Sequence, residues 1–286
     1  MKTILLHLDE HDSLASMMTT ALLVARRFGS HIEGYHVRAG VPRMVPAGPE
    51  GSAIATTELI ESLEREERII SRRVRERFET FMREQQVPVT SSMPPSDQPG
   101  ASWQETVSPD DEALASRGRA FDVIVVGRPV AGATAPKMST LEAALFESGR
   151  PILIAPPGVP ETIGETIVIG WNGSTETART IAFAMPFLLA AKDVLVLSVE
   201  EGMVPGPLGR EVAQCLVRNG IAARSKTMQS GGRSTIGATI LAECGAVGAD
   251  LLVKGAYTQS RLRQMIFGGA TSHILGHAEL PVLMAH

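Results

Sequence analysis

Short apolar runs alternate along this chain with longer stretches whose apolar residues recur at helical spacing, and the whole pattern occurs twice. Thr3-Ile4-Leu5-Leu6-His7-Leu8-Asp9 matches Thr166-Ile167-Val168-Ile169-Gly170-Trp171-Asn172, each a short strand ending at a polar residue. An Ala- and Leu-rich helix follows in each copy, over residues 13–28 and 174–190, and then a strand, over 32–37 and 194–199. Farther on, Asp122-Val123-Ile124-Val125-Val126-Gly127 matches Asp250-Leu251-Leu252-Val253-Lys254-Gly255. Both runs stop at glycine and have the apolar continuity of a parallel strand covered on both faces. A helix and a last strand close each copy: 141–148 with Pro151-Ile152-Leu153-Ile154, and 270–277 with Pro281-Val282-Leu283-Met284.

This alternation predicts an α/β chain of two tandem Rossmann-like domains, each with a five-stranded parallel sheet reached by right-handed crossovers and helices on both faces. Pro156-Pro157-Gly158-Val159-Pro160 reads as the linker, which sets the domains at 1–156 and 164–286. In the first, a long helix over 56–86 presents Ile60, Leu63, Ile70, Val74, Phe78 and Phe81 as one apolar stripe. Its Glu and Arg residues read as a solvated face laced with i,i+4 pairs. Two segments rich in Pro and Gly, 40–51 and 91–99, read as irregular connections.

Composition narrows the partners. The 286 residues, 44% hydrophobic and 20% charged, suit soluble globular domains. A net charge of -4 and a pI near 6.0 offer no basic field for nucleic acid or an anionic membrane. The first residues have no secretory h-region, and no run approaches the roughly 20 apolar residues of a membrane span, so a cytoplasmic location is expected. Cys215 and Cys244, both in helical segments, read as buried, reduced thiols.

In an open parallel sheet, ligands bind beyond the carboxyl ends of the strands where the strand order reverses. In the second half the residues at that place are Asn172, Gly173 and Ser174 after the first strand, and 255–272 after the fourth. Gly255 leaves the strand without a Cβ, while Gly268 and Gly269 open a helix whose free N–H groups and dipole attract phosphate. Thr271 and Ser272 add hydroxyl donors, and Arg261 and Arg263 read as solvated loop residues.

These segments, Trp171-Asn172-Gly173-Ser174 and Gly255 through Gly268-Gly269-Ala270-Thr271, resemble those of tandem-domain universal stress proteins, and the similarity runs over essentially the whole chain. The resemblance implies the strand order 3-2-1-4-5, a usually dimeric assembly, and a stress-response regulator. In the subfamily that binds it, ATP is held by a Gly-x2-Gly-x9-Gly-[Ser/Thr] signature. Carried onto this sequence, Gly255 is the first signature glycine and Gly268 the third. Thr258 replaces the second, and Gly269 takes the Ser/Thr place with Thr271 two positions on. Asn172 stands where the family often has an aspartate that contacts adenine, and Val199 where a backbone group meets the adenine ring. The implied ligand is ATP or a related adenine nucleotide, with or without Mg.

The first half departs further. Gly127 is followed by Arg128-Pro129-Val130, and Thr140-Leu141-Glu142 stands where glycines should open the helix. Asp9 keeps an adenine-contact position, but the half reads as a structural partner in an intramolecular pseudo-dimer. Ser230-Gly231-Gly232-Arg233-Ser234, similar to a pyrophosphate loop, precedes the third helix and reads as a turn and N-cap. His273 and His277 read as a packed or surface pair, not metal ligands. Three functions compete: a nucleotide-responsive stress protein, an interaction module that no longer binds nucleotide, and a slow ATPase or nucleotide hydrolase. The last lacks an identifiable base, nucleophile or metal cluster.

Overall fold

The computed structural model describes residues 1–40, 44–46, 52–54, 57–90, 97–108, 112–129, 136–231, 235–256 and 269–286. The first half runs β1 (Thr3–His7), α1 (Leu14–Phe28), β2 (His31–Ala39), β3 (Met44–Pro46), β4 (Ser52–Ile54), α2 (Thr57–Glu84), β5 (Gly100–Ser108), α3 (Glu112–Gly118), β6 (Val123–Gly127), α4 (Met138–Glu147) and β7 (Ile152–Ala155). The second runs β8 (Thr166–Trp171), α5 (Thr175–Ala190), β9 (Asp193–Val199), α6 (Gly209–Arg218), β10 (Ala223–Met228), α7 (Ile236–Ala246), β11 (Leu251–Gly255), α8 (Gly269–His277) and β12 (Val282–Ala285).

Ten strands form one sheet in the order β10-β9-β8-β11-β12-β7-β6-β1-β2-β5, so each half contributes the order 3-2-1-4-5. Every neighbouring pair is parallel except β12 and β7, which meet antiparallel through Val282–Ile154, Leu283–Leu153 and Met284–Ile152. All six of these side chains are buried, each worth about 1.5–3 kcal/mol when fully withdrawn from water, so this seam is core and not a loose contact.

Strand alternation sends Ile4, Leu6, Ile167 and Ile169 to one face, where α1, α2, α5 and α6 cover them with Met17, Val74, Phe78, Phe187 and Leu216. Leu5, Ile124, Val168 and Leu252 turn to the other, under α3, α4, α7 and α8 with Leu114, Leu141, Ile240 and Ile274. Each cluster runs through both halves without a break. Side chains also cross between halves. Arg27 donates to the Gly164 carbonyl at 2.8 Å, Phe28 meets Phe187 edge-on at 5.0 Å, and Arg128 donates to the Ala278 carbonyl at 3.0 Å.

The sequence repeat reappears as a repeated hydrogen-bond motif. Asp122 accepts the amides of Lys2 and Thr3 while its own amide donates to the Thr3 carbonyl. Asp250 does the same for Glu165 and Thr166, at 3.1 and 3.0 Å, and its amide donates to Thr166. Each aspartate thus fixes the entry of a half's first strand beside its fourth. At the opposite end, Gly255 is pressed against α5: a Cβ there would lie 2.4 Å from the Thr177 amide nitrogen and 2.7 Å from the Glu176 carbonyl carbon.

Three expectations are corrected. Cys215 is exposed, because α6 buries Ala213 and Leu216 and turns the thiol outward; Cys244 is buried, and both are free. The 40–51 segment is not wholly irregular, since β3 pairs antiparallel with β4. On α2, Val74, Phe78 and Met82 are buried, but Ile60, Leu63 and Ile70 are only partly so and Leu59 is exposed. A 28-residue helix outruns the strands it covers. Residues 91–96 of the second Pro-rich segment lie outside the described residues.

Two outcomes are expected. Burial alone would raise the Asp122 carboxyl, but the amides of Lys2 and Thr3 and the nearby N-terminal ammonium outweigh it and hold it below the ordinary carboxylate range. With the folded value below the unfolded one, this stabilisation is complete above the unfolded value and is lost as pH falls through the folded value. Asp122→Asn should therefore flatten the acid limb of stability in urea titrations run between pH 6 and 3 (roughly the carboxylate range); an unchanged limb would refute the assignment. Gly255→Ala meets backbone that cannot yield, and should cost about 1–3 kcal/mol in the same assay.

Candidate functional site

In the second half the strand order reverses between β8 and β11, and the residues at their carboxyl ends converge there. Asn172, just after β8, accepts the Ser174 amide at 3.2 Å and the Thr177 hydroxyl at 2.8 Å through Oδ1. Ser174 caps α5, its hydroxyl accepting the Thr177 amide at 3.2 Å. Between them Gly173 turns at φ +85°, and a Cβ would lie 2.7 Å from the Val204 carbonyl oxygen. The segment after β9 closes over this turn. Val204 donates to the Asn172 carbonyl at 2.8 Å, and Trp171, nearly buried, donates its indole N–H to Pro207 at 2.9 Å. Val199, at the end of β9, is buried against the α7 side of the sheet.

Across the reversal, Gly269 is the first residue of α8 and is exposed; Thr271, in the same turn, is buried, and Ser272 is partly buried. Thr258 and Gly268, and with them Arg261 and Arg263, lie outside the described residues. One residue sequence reasoning passed over stands here. Lys254 interrupts the apolar run of β11, and its ammonium donates to the Gly255 carbonyl and to the Thr271 hydroxyl, both at 2.9 Å. Desolvation pushes its pKa down to about 8. The signal was available: a lysine in a central strand that is otherwise apolar.

Ser230 and Gly231 of the Ser230 loop donate to Glu201, while residues 232–234 lie outside the described residues. The Glu201 carboxylate accepts the Ser230 amide at 3.0 Å, the Ser230 hydroxyl at 3.0 Å and the Gly231 amide at 3.2 Å, and the Ser230 amide first among these holds its pKa below the ordinary value. The turn and N-cap reading of this segment is corrected in its second part, since α7 (Ile236–Ala246) has Thr235 as its N-cap, without a side-chain cap bond.

The matching place in the first half is closed by side chains. A Cβ at Gly127 would lie 2.4 Å from Pro136 Cγ and 2.8 Å from Met17 Sδ. Arg128 is buried and directed at the second half, and Thr140 and Leu141 are buried in the first turn of α4. Asp9 accepts the Glu10 amide at 2.8 Å. A groove of about 830 Å³ lies nearby, between α1 and α2, lined by Glu10, His11, Asp12, Arg73, Arg77 and Phe81 among others. Its mixed charges, with Arg73 paired to Glu10 at 2.7 Å, do not form an anion cradle.

Among the described residues no group of three or more His, Cys, Asp or Glu side chains is placed to hold a metal ion. His273 and His277 stack at 4.2 Å, with His277 Nδ1 against the His273 carbonyl. Among the described residues no helix is long and apolar enough to cross a membrane.

Residues 221–286 match the model of the universal stress protein family. A universal stress protein from Archaeoglobus fulgidus has a similar structure at 14% identity, with a TM-score of 0.66 over 99% of this chain and 95% of that one. A putative universal stress protein from Pseudomonas aeruginosa UCBPP-PA14 is similar at 14% identity and TM-score 0.52, over 99% and 92%. A protein of unknown function from Pseudomonas aeruginosa PAO1 is similar at 13% identity and TM-score 0.52, over the same shares. No curated protein sequence matches the chain. Its closing residues 221–286 are thus similar to the universal stress protein family, and along its full length the chain has the α/β fold of the solved universal stress proteins it resembles.

Proposed function

We propose that this chain is a cytoplasmic stress-response regulator that binds ATP or a related adenine nucleotide in its second half, while the first half serves as the structural partner of an intramolecular pseudo-dimer. The observation that carries the reading is the asymmetry at the two strand reversals. In the second half, Gly269 leaves the start of α8 without a large side chain; in the first, Pro136, Thr140 and Leu141 fill the matching place. The dipole and first-turn amides of α8 would suit phosphate, with Thr271 and Ser272 supplying hydroxyls. Asn172, Gly173, Ser174 and Val199 would border the adenine. Such an arrangement binds and does not by itself position water for hydrolysis.

One observation favours a second reading, an interaction module without nucleotide. The Oδ1 of Asn172 is engaged with Ser174 and Thr177, so this side chain supports the α5 cap. The unknown protein partners of either reading, and assembly into a homodimer, would then be the output.

Calorimetric titration of nucleotide-free protein with Mg-ATP separates the two. One site per chain is expected, weakened about tenfold or more by Gly269→Val, which crowds the amides of α8. Lys137→Ala, at the corresponding end of α4, should leave binding unchanged. Absence of binding by the wild-type chain would sink the nucleotide reading and leave the interaction module.

A further inference from the structure

Lys254 stands, partly buried, in a strand whose other side chains are apolar and buried. Its register partners are Gly170 on β8 and Met284 on β12, and its stem lies against the bare Gly170 backbone, with Lys254 Cγ 3.7 Å from where a Gly170 Cβ would stand. The side chain therefore lies on the α7 and α8 side of the sheet. Of its three N–H donors, two meet the Gly255 carbonyl and the Thr271 hydroxyl, both neutral acceptors. Among the described residues no ion pair includes it, and its pKa is lowered by desolvation with no opposing charge. A cation at the first turn of a helix also faces the positive end of the helix dipole. Partial desolvation and dipole act against the same charge.

The first half shows that the fold does not require it. Gly127 pairs with Ala155 as Gly255 pairs with Ala285, so the residue matching Lys254 is Val126, which is buried. The lysine occurs only in the half whose fourth strand faces a helix opened by glycine. An anion at that turn would supply the counter-charge, the third acceptor and a favourable partner for the dipole together.

We infer that Lys254 is a phosphate-binding residue, its ammonium contacting an oxygen of a polyphosphate seated at the first turn of α8 beside Thr271. The location rests on the nucleotide reading above, but the chemistry assigned to Lys254 is that of the phosphate chain and not of the base.

The test measures melting temperature with and without Mg-ATP and with sodium tripolyphosphate, for the wild type, Lys254→Met, Lys254→Gln and Lys254→Arg. Lys254→Met should melt at or above the wild type without ligand, since an uncompensated charge is removed, yet lose the shift produced by either probe. Its affinity for ATP should fall about tenfold or more, the loss of one charge-assisted contact. Lys254→Arg should retain part of the shift, and Lys254→Gln reports the same loss should the methionine variant fold poorly. Stabilisation by tripolyphosphate but not by ATP, lost in Lys254→Met, supports the lysine while removing the nucleotide reading. ATP binding that survives unchanged in Lys254→Met and Lys254→Gln overturns the lysine and leaves the nucleotide reading standing; no shift by either probe in the wild type overturns both.

Discussion

The antiparallel pairing of β7 with β12 is the constraint on which the rest depends. Each half ends its sheet on a fully buried strand of aliphatic residues, and such a strand must find a neighbour on its open side or leave both its ladder groups and its apolar side chains exposed. Joining the two last strands satisfies both at once. The clusters above and below the sheet then run through the two halves, and the cross-contacts of Arg27, Phe28 and Arg128 follow from the closeness the seam imposes.

Within that frame the halves have been free to diverge. The framework contacts are duplicated, as Asp122 and Asp250 show, because each half must start its sheet in register. The carboxyl ends of the strands are under no such requirement. At one, proline, methionine and arginine pack the crevice and tie it to the neighbouring half; at the other, glycine keeps the strand close to α5 and a lysine points to the start of α8.

Much of the fold was legible in the sequence because its signals are local. Short apolar runs gave the first, second, fourth and fifth strands of each half within one or two residues, and Ser174 marked the start of α5 as a cap should. What stayed hidden depends on distant neighbours. Cys215 turned out exposed because the orientation of α6 was set by Ala213 and Leu216; the upper part of α2 was left half-covered because strand length, not helix periodicity, decides where cover ends. At the site, the residue types around Asn172 and Gly269 were readable, but not that Asn172 spends its oxygen on its own helix cap. Gly255 looked like room for a ligand and proved to be clearance for the α5 backbone. Lys254 was passed over for the opposite reason, since its apolar surroundings absorbed it into a strand pattern.

With both last strands consumed in the seam, the sheet ends on β5 and β10, the two third strands. β10 presents Arg224, Ser225, Lys226 and Thr227, all exposed, and β5 carries Gln104 and Glu105 toward solvent. Charges on a terminal strand oppose edge-to-edge addition of another chain. A sheet ten strands wide is thereby prevented from growing into a ribbon, so the duplication that built the molecule also limits its tendency to aggregate.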